Sequence, residues 1–262
     1  MAAPHHPLGP VVPIPKPIPS STDLEAIVER YRDLRLHGLK VDPEAFTSLY
    51  EDEVKFPYKT WQSRVENSIA KTLVAVDPET NQRAHIEEKP HAEKLSSHSA
   101  SIQRLLRQEW LGIATIIGPV RFSEQSDDAM AASVKPQLHT AFIKDGKYQI
   151  PDPSTVEKED LSDTHAVFLI VGLFILPQAR RRGLAGRLVE ASINYIREEA
   201  RRKKVCKAGI SIQVSPTNFA AQALYQTMGF HVSEKAIVMN SQQGEEEYVM
   251  GLEMEVNLGS EF

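Results

Sequence analysis

The sequence predicts one α+β domain built around a central sheet, and three observations carry that prediction. The amino-terminal part reads as helices, and the rest runs strand, helix, strand, helix, strand, strand. Ala166–Ile175 is apolar throughout, which fits a strand covered on both faces. No internal repeat or coiled-coil heptad interrupts the pattern, so helices packed on a sheet are the simplest arrangement. The chain has 262 residues, of which 41% are hydrophobic, enough for one sizeable core.

The elements follow in order. Residues 1–21 are proline-rich; from Val11 to Pro19 apolar residues alternate with proline, which suits an extended edge segment. Ser21, Thr22 or Asp23 can cap the helix that follows. Its apolar face is Leu24, Ile27, Val28, Tyr31, Leu34 and Leu39. Glu44–Glu53 reads as a second helix and Thr60–Asn67 as a third, with Trp61 and Val65 turned inward. Lys71–Val76 and Trp110–Ile117 read as strands, the latter stopped by Gly118-Pro119. Between and after them lie polar insertions at 77–107 and 119–165. The first contains a helical stretch at Ala92–Gln108, and the second a hairpin signal, Asp145-Gly146, within Phe142–Ile150. The strand Ala166–Ile175 ends at Pro177. Leu184–Arg201 is a long helix with Leu188, Val189, Ile193 and Ile196 as its stripe. Ala208–Val214 is a strand, and Ser215–Asn218 turns into a short helix ending at Met228-Gly229. Phe230–Met239 and Glu247–Val256 pair as antiparallel strands across Asn240–Gly244. The domain is therefore expected over 22–258, with Gly259–Phe262 read as a tail or a vector-derived scar.

Composition narrows the function. Thirty Lys and Arg stand against 35 Asp and Glu, a net charge of −5, which disfavours generic nucleic-acid binding. No apolar run is long enough to span a bilayer, and the first residues carry no secretory pattern. A cytoplasmic protein, or one shared with the nucleus, is expected, with no membrane partner; the sequence does not indicate an oligomeric state. The single Cys206 excludes an internal disulfide, and nine histidines show no zinc spacing, so no metal is expected.

The chemistry concentrates at Leu173–Gly186. A buried strand runs into a loop and then into a helix N-terminus. The unpaired amides of such a terminus carry partial positive charge and bind anions. Gly183, Ala185 and Gly186 have little or no side chain, so a diphosphate can approach the backbone. Arg180, Arg181 and Arg182 add positive charge. Neither G-x-G-x-x-G nor G-x-x-x-x-G-K-[ST] is present, which argues against dinucleotides and nucleoside triphosphates. The basic cluster Arg197–Lys207 has no glycine and reads as a solvated helix face.

Arg180-Arg-Arg-Gly183-Leu-Ala185 resembles the Q/R-x-x-G-x-G/A motif of the GNAT family of N-acetyltransferases. Ile175-Leu-Pro177 resembles that family's strand end. Asn218-Phe-Ala-Ala221-Gln-Ala-Leu224-Tyr225-Gln-Thr-Met-Gly229-Phe230 is similar to its N-x-x-A-x-x-L-Y-x-x-x-G-F, and Tyr248-Val-Met250 to its closing strand. The likeness covers about 166–256, and Arg32–Phe46 looks like the family's variable amino-terminal part.

The resemblance implies a mixed, mostly antiparallel sheet whose splayed strands, ending near Ile175 and Val214, form an acetyl-CoA cleft. It implies acetyl-CoA as cosubstrate, with Leu173, Phe174 and Ile175 meeting the pantetheine arm and Arg180, Arg181, Arg182, Gly183, Leu184, Ala185 and Gly186 the diphosphate. The reaction would be direct transfer to a primary amine, expected on a small molecule. A protein or peptide acceptor is the alternative, and a non-catalytic acyl-CoA-binding module is the alternative of another class. Tyr225 sits where the family places the acid for the leaving thiolate, or else packs in its helix. Asn218 reaches the pantetheine arm or caps its helix. Glu51, Glu53, Glu109 and His165 are candidate bases, Glu53 being preferred.

Overall fold

The computed structural model describes residues 9–46, 48–78, 97–122, 142–144, 147–148, 150–239 and 244–255. The insertion segments 79–96 and 123–141, the Asp145-Gly146 turn, the Asn240 turn and the tail 259–262 lie outside the described residues.

Among the described residues seven strands form one sheet: β1 (Val11–Pro13), β2 (Ala70–Val76), β3 (Trp110–Arg121), β6 (His165–Ile175), β7 (Lys207–Val214), β8 (His231–Met239) and β9 (Gly244–Glu255). Their order in the sheet is β1-β2-β3-β6-β7-β9-β8. Ile143–Lys144 (β4) and Lys147–Tyr148 (β5) form the expected hairpin as a separate antiparallel pair. Of the sheet ladders described, β6–β7 is parallel, and β1–β2, β7–β9 and β8–β9 are antiparallel. The helices are α1 (Ser21–Val41), α2 (Tyr50–Glu53), α3 (Tyr58–Glu66), α4 (Ser97–Arg107), α5 (Pro153–Val156), α6 (Leu184–Arg202) and α7 (Phe219–Thr227). The chain is thus an α+β fold with a mixed sheet, as its pattern predicts.

The chain divides into two compact units. The first comprises Met1–Val41, Tyr50–Thr115 and Gly172–Ala191. Here the proline-bearing β1 is an edge strand on β2, with Val12 opposite Val74. The α1 face is as predicted except at Leu24, which is half-buried; Ile27, Val28, Tyr31, Leu34 and Leu39 are buried. Its cap is Ser20, one residue earlier than expected: the Ser20 hydroxyl accepts from the Asp23 amide at 3.2 Å. Trp61 and Val65 of α3 are 1% exposed, and Trp61 meets Tyr31 edge-on at 6.2 Å. Side chains buried to this extent stabilise the unit by about 2–3 kcal/mol each.

The predicted helix at Glu44–Glu53 is broken. A 3-10 turn covers Pro43–Ala45, Phe46 is extended, and only Tyr50–Glu53 is α-helical. Proline suits the first turn of a helix. Its presence at 43 therefore starts a turn but does not commit the residues beyond it.

The second unit comprises Asp42–Leu49, Ile116–Val171 and Ser192–Phe262. Its core includes Phe168, Ile170, Ile196, Val205, Ile210, Ile212 and Phe230. In the stripe of α6, Ser192 is fully buried and Ile193 only half-buried, one position off the predicted set. Gly118-Pro119 does not stop β3, which continues to Arg121. Strand β6 runs so close there that a Cβ on residue 118 would come 2.8 Å from the Val167 carbonyl oxygen, and glycine lets the pairing persist.

Candidate functional site

The site begins where the β6–β7 ladder stops. Pairing runs from His165↔Lys207 to Ile170↔Ile212, while β6 continues to Ile175. Two residues past the last pair, Gly172 has φ +63°. An L residue held there would be strained by about 1–2 kcal/mol, and a glycine inside a strand marks such a kink. The strand end beyond it is held by β3. The Leu176 amide donates to the Leu111 carbonyl at 2.9 Å. A Cβ on Gly112 would meet the Phe174 carbonyl oxygen at 2.6 Å, so only glycine permits that approach. Leu173 is half-buried, and Phe174 and Ile175 are buried.

From Ile175 the chain makes a 3-10 turn at Pro177–Ala179 and turns again through Arg180–Gly183. Arg180 is extended, Arg181 has φ +62° and Gly183 φ +77°. Arg181 is in the left-handed region despite its side chain, a conformation that costs energy and collects at ligand-binding loops. A Cβ added to Gly183 would meet nothing within 4 Å. The space above that backbone is open, and α6 begins at the next residue. The Arg187 amide closes the first helical bond, on the Gly183 carbonyl at 3.2 Å. The amides before it are those a helix leaves without intrahelical partners. Leu184 is buried and anchors the helix start, while Ala185 and Gly186 are half-buried.

The three arginines divide. Arg180 folds back: its Nε donates to the Ile175 carbonyl at 3.1 Å, and its guanidinium lies 5.9 Å from the Phe174 ring centroid. Arg181 is exposed and Arg182 half-buried. The loop therefore presents, in order along the chain, flanking arginines, an open backbone surface and the amides of a helix start.

Glu53 lies in the same unit, 2% exposed, between two guanidiniums. Arg35 Nη2 reaches its Oε1 and Arg64 Nη1 its Oε2, both at 2.9 Å. Arg64 also lies 5.1 and 5.0 Å from the Phe56 and Trp61 ring centroids. Burial alone would raise the Glu53 carboxyl, but the hydrogen bonds and charges of Arg35 and Arg64 outweigh it and hold it at about 2. A carboxylate that binds protons so weakly does not fit the role of a base; its geometry fits a brace between α1, α2 and α3. The other candidate bases are placed differently. Glu51 and Glu109 are exposed. His165 is at the opposite end of β6 from Ile175, its ring 4.7 Å from that of Phe122.

Tyr225 and Asn218 belong to the second unit. Asn218 caps α7, its Oδ1 accepting from the Ala221 amide at 3.1 Å. Tyr225 is 4% exposed, packs 6.0 Å from the Phe230 ring, and is pushed well above the usual phenol range by burial. Among the described residues no cluster of three or more His, Cys, Asp or Glu could hold a metal. No described helix is long and apolar enough to cross a membrane.

Sequence reasoning missed Arg35, Arg64 and Gly172. The last had a signal, a lone glycine inside an otherwise apolar strand. The arginines had none, being 18 and 11 residues from Glu53.

Residues 149–230 match the model of the acetyltransferase (GNAT) family. No curated protein matches the sequence. Solved structures similar to the chain include the following three. Arabidopsis thaliana NAA60 in complex with acetyl-CoA is 18% identical, covering 94% of this chain and 98% of its own, with a TM-score of 0.49. A GNAT-family acetyltransferase from Streptococcus pneumoniae is 17% identical, covering 89% and 94%, with a TM-score of 0.43. Spermidine N-acetyltransferase from Vibrio cholerae in complex with CoA and spermine is 12% identical, covering 90% and 92%, with a TM-score of 0.45. The span similar to the GNAT acetyltransferase family, residues 149–230, holds the kinked strand, the loop, the long helix and the capped α7.

Proposed function

We propose that this protein transfers an acetyl group from acetyl-CoA to a primary amine, on a small molecule or a peptide. The observation that carries the reading is the loop: left-handed backbone at Arg181 and Gly183, open space over Gly183, and the start of α6 immediately after it. A diphosphate fits there because backbone amides and the helix dipole favour a dianion, and no side chain occupies the approach. Arg180, Arg181, Arg182, Leu184, Ala185 and Gly186 complete the cradle. The backbone of Leu173, Phe174 and Ile175, past the end of the β6–β7 ladder, offers hydrogen bonds to the pantetheine amides.

Acetyl-CoA supplies an activated thioester. The amine must arrive neutral, since an ammonium has no lone pair to form the new N–C bond. As that bond forms, the C–S bond breaks and its electrons leave on sulfur, while the nitrogen gives up a proton to solvent water and the sulfur takes one up, so that free CoA thiol is released. Backbone N–H groups stabilise charge on the carbonyl oxygen. Tyr225 is assigned the donor to the leaving sulfur. Its raised pKa keeps the hydroxyl protonated, so it acts as a hydrogen-bond donor across the working pH range. Asn218 is assigned first to the α7 cap, which sets the position of Tyr225.

Calorimetry with acetyl-CoA and detection of released CoA thiol test the reading. Wild type binds acetyl-CoA and releases thiol when an amine is added. Gly183→Trp, which fills the open space, weakens binding by about tenfold or more, a change of about 1.4 kcal/mol or more. Unchanged affinity in that variant would take the diphosphate away from this loop.

A further inference from the structure

The amino-terminal segment touches the start of the long helix, and the contact is a cation held on a carbonyl. Arg187, in the first turn of α6, donates from Nη1 to the Gly9 carbonyl at 2.5 Å, across 178 residues of chain. Gly9 is itself fixed. A Cβ there would stand 1.7 Å from the Val76 carbonyl oxygen, so only glycine permits the approach. The next carbonyl, that of Pro10, accepts from the Val76 amide at 3.2 Å. Gly9, Val76, Gly183 and Arg187 all belong to the first unit.

This arrangement is unfavourable without an anion. The first turn of α6 carries no acidic residue. Its N-terminal end, where the helix dipole is positive, instead meets Arg181, Arg182 and Arg187. Among the described residues no ion pair joins these three to a carboxylate, Glu190 included, which is exposed three positions beyond Arg187. Fixing a guanidinium on a carbonyl also removes side-chain freedom. Gly9 takes one of the five N–H donors of that group, which leaves the rest of the fork for a ligand. Arg187 is four residues beyond Gly183, whose carbonyl accepts from its amide, and residues four apart share a helix face. The guanidinium therefore belongs to the face that is open over Gly183, from a position about 6 Å further along the axis.

Resting on the acetyl-CoA reading of this loop, we infer that Arg187 binds the ribose 3′-phosphate of the cosubstrate, with the Gly9 carbonyl as the group that positions it. The loop amides serve the diphosphate. Coenzyme A carries one more phosphate, on the ribose that bears the diphosphate, so the two anionic groups are covalent neighbours. A guanidinium fixed about one turn from the diphosphate cradle matches that phosphate, which accepts two parallel N–H bonds from a single arginine. Its negative charge also offsets the cations gathered at the helix start. Because Arg187 is already held, little freedom is lost when the phosphate arrives. The proline-rich segment thereby takes part in the cosubstrate site through a backbone atom.

The test is calorimetry of the full chain with acetyl-CoA and with its 3′-dephospho form. Wild type is expected to bind acetyl-CoA about 10- to 100-fold more tightly, the range for hydrogen bonds to a charged group. Arg187→Gln is expected to bring acetyl-CoA down to the affinity of the dephospho form, and to leave the latter within about twofold of wild type. Gly9→Ala, which has to displace the carbonyl, narrows the difference with Arg187 still present; full discrimination in that variant overturns the part assigned to Gly9. Equal affinity of wild type for the two forms overturns the inference, and that measurement needs no variant to fold. So does an Arg187→Gln protein that still discriminates, or one that loses both forms alike. Failure of wild type to bind either form instead overturns the acetyl-CoA reading on which the inference rests.

Discussion

Glu53→Gln keeps the shape of the side chain and removes its charge, and the consequence depends on pH in a calculable way. In the folded protein the carboxyl is held at about 2, against an ordinary value of 4.5. A depressed carboxyl stabilises the fold above its unfolded value, and that stabilisation is lost as pH falls through the folded value. At about 1.4 kcal/mol for each tenfold change in proton affinity, the gap corresponds to about 3 kcal/mol near neutral pH. Breaking a buried ion pair from one side costs about 3–5 kcal/mol, which agrees with that figure. Arg64 is 31% exposed, so its half of the interaction is partly screened and the lower end is the better guide. Urea unfolding of both proteins from about pH 7 to about pH 2.5 measures the difference, in which the titration of all other groups cancels. The variant is expected to be less stable by about 3 kcal/mol at neutral pH. The two curves then converge to within about 1 kcal/mol at the acid end, where protonated Glu53 is a near isostere of glutamine. A difference that stays constant with pH would refute the assignment of the Glu53 charge to the two guanidiniums.

Three further outcomes follow from single contacts. Tyr225→Phe is expected to lower kcat about 10- to 100-fold with acetyl-CoA affinity held; wild-type turnover would remove Tyr225 from the chemistry. Asn218→Ala removes the α7 cap and is expected to cost about 1 kcal/mol in thermal unfolding, with acetyl-CoA affinity unchanged in calorimetry. A large loss of affinity there would give Asn218 a direct role in holding the cosubstrate. Ser211 is fully buried, and among the described residues its hydroxyl has no hydrogen-bond partner, so Ser211→Ala is expected to be neutral or to stabilise by about 1 kcal/mol. Destabilisation beyond about 1 kcal/mol in urea melts would mean that the hydroxyl is satisfied.

The parts of the fold set by local pattern were legible in the sequence. Ala166–Ile175 and Leu184–Arg201 carry strong periodicities, and β6 and α6 match them to within a residue at each end. The course of the loop between them was legible because its features lie within consecutive residues: a strand end, small residues and a helix start. What failed was decided by distant partners. Glu44–Glu53 has helical spacing, but Glu53 is fixed by arginines of α1 and α3, and the segment before Tyr50 does not stay helical. Gly118-Pro119 reads locally as a stop, yet the neighbouring strand passes close enough for β3 to continue. The basicity of Glu53 was beyond pattern altogether, because a carboxyl's proton affinity belongs to its surroundings and not to its position in a motif.

The three-residue strand β1 has a consequence for how the molecule behaves in a crowded solution. It lies at one rim of the sheet, with Pro13 opposite Leu73. A long bare rim presents a row of donors and acceptors on which a second chain can build, and short or proline-bearing rims resist that growth. Proline brings no N–H to such a row, and Val11–Pro13 is followed at once by Pro15, Pro17 and Pro19. The proline-rich stretch near the start of the chain therefore does more than lead into the fold: it closes one side of the sheet against self-templated stacking, while the backbone at Gly183 stays open.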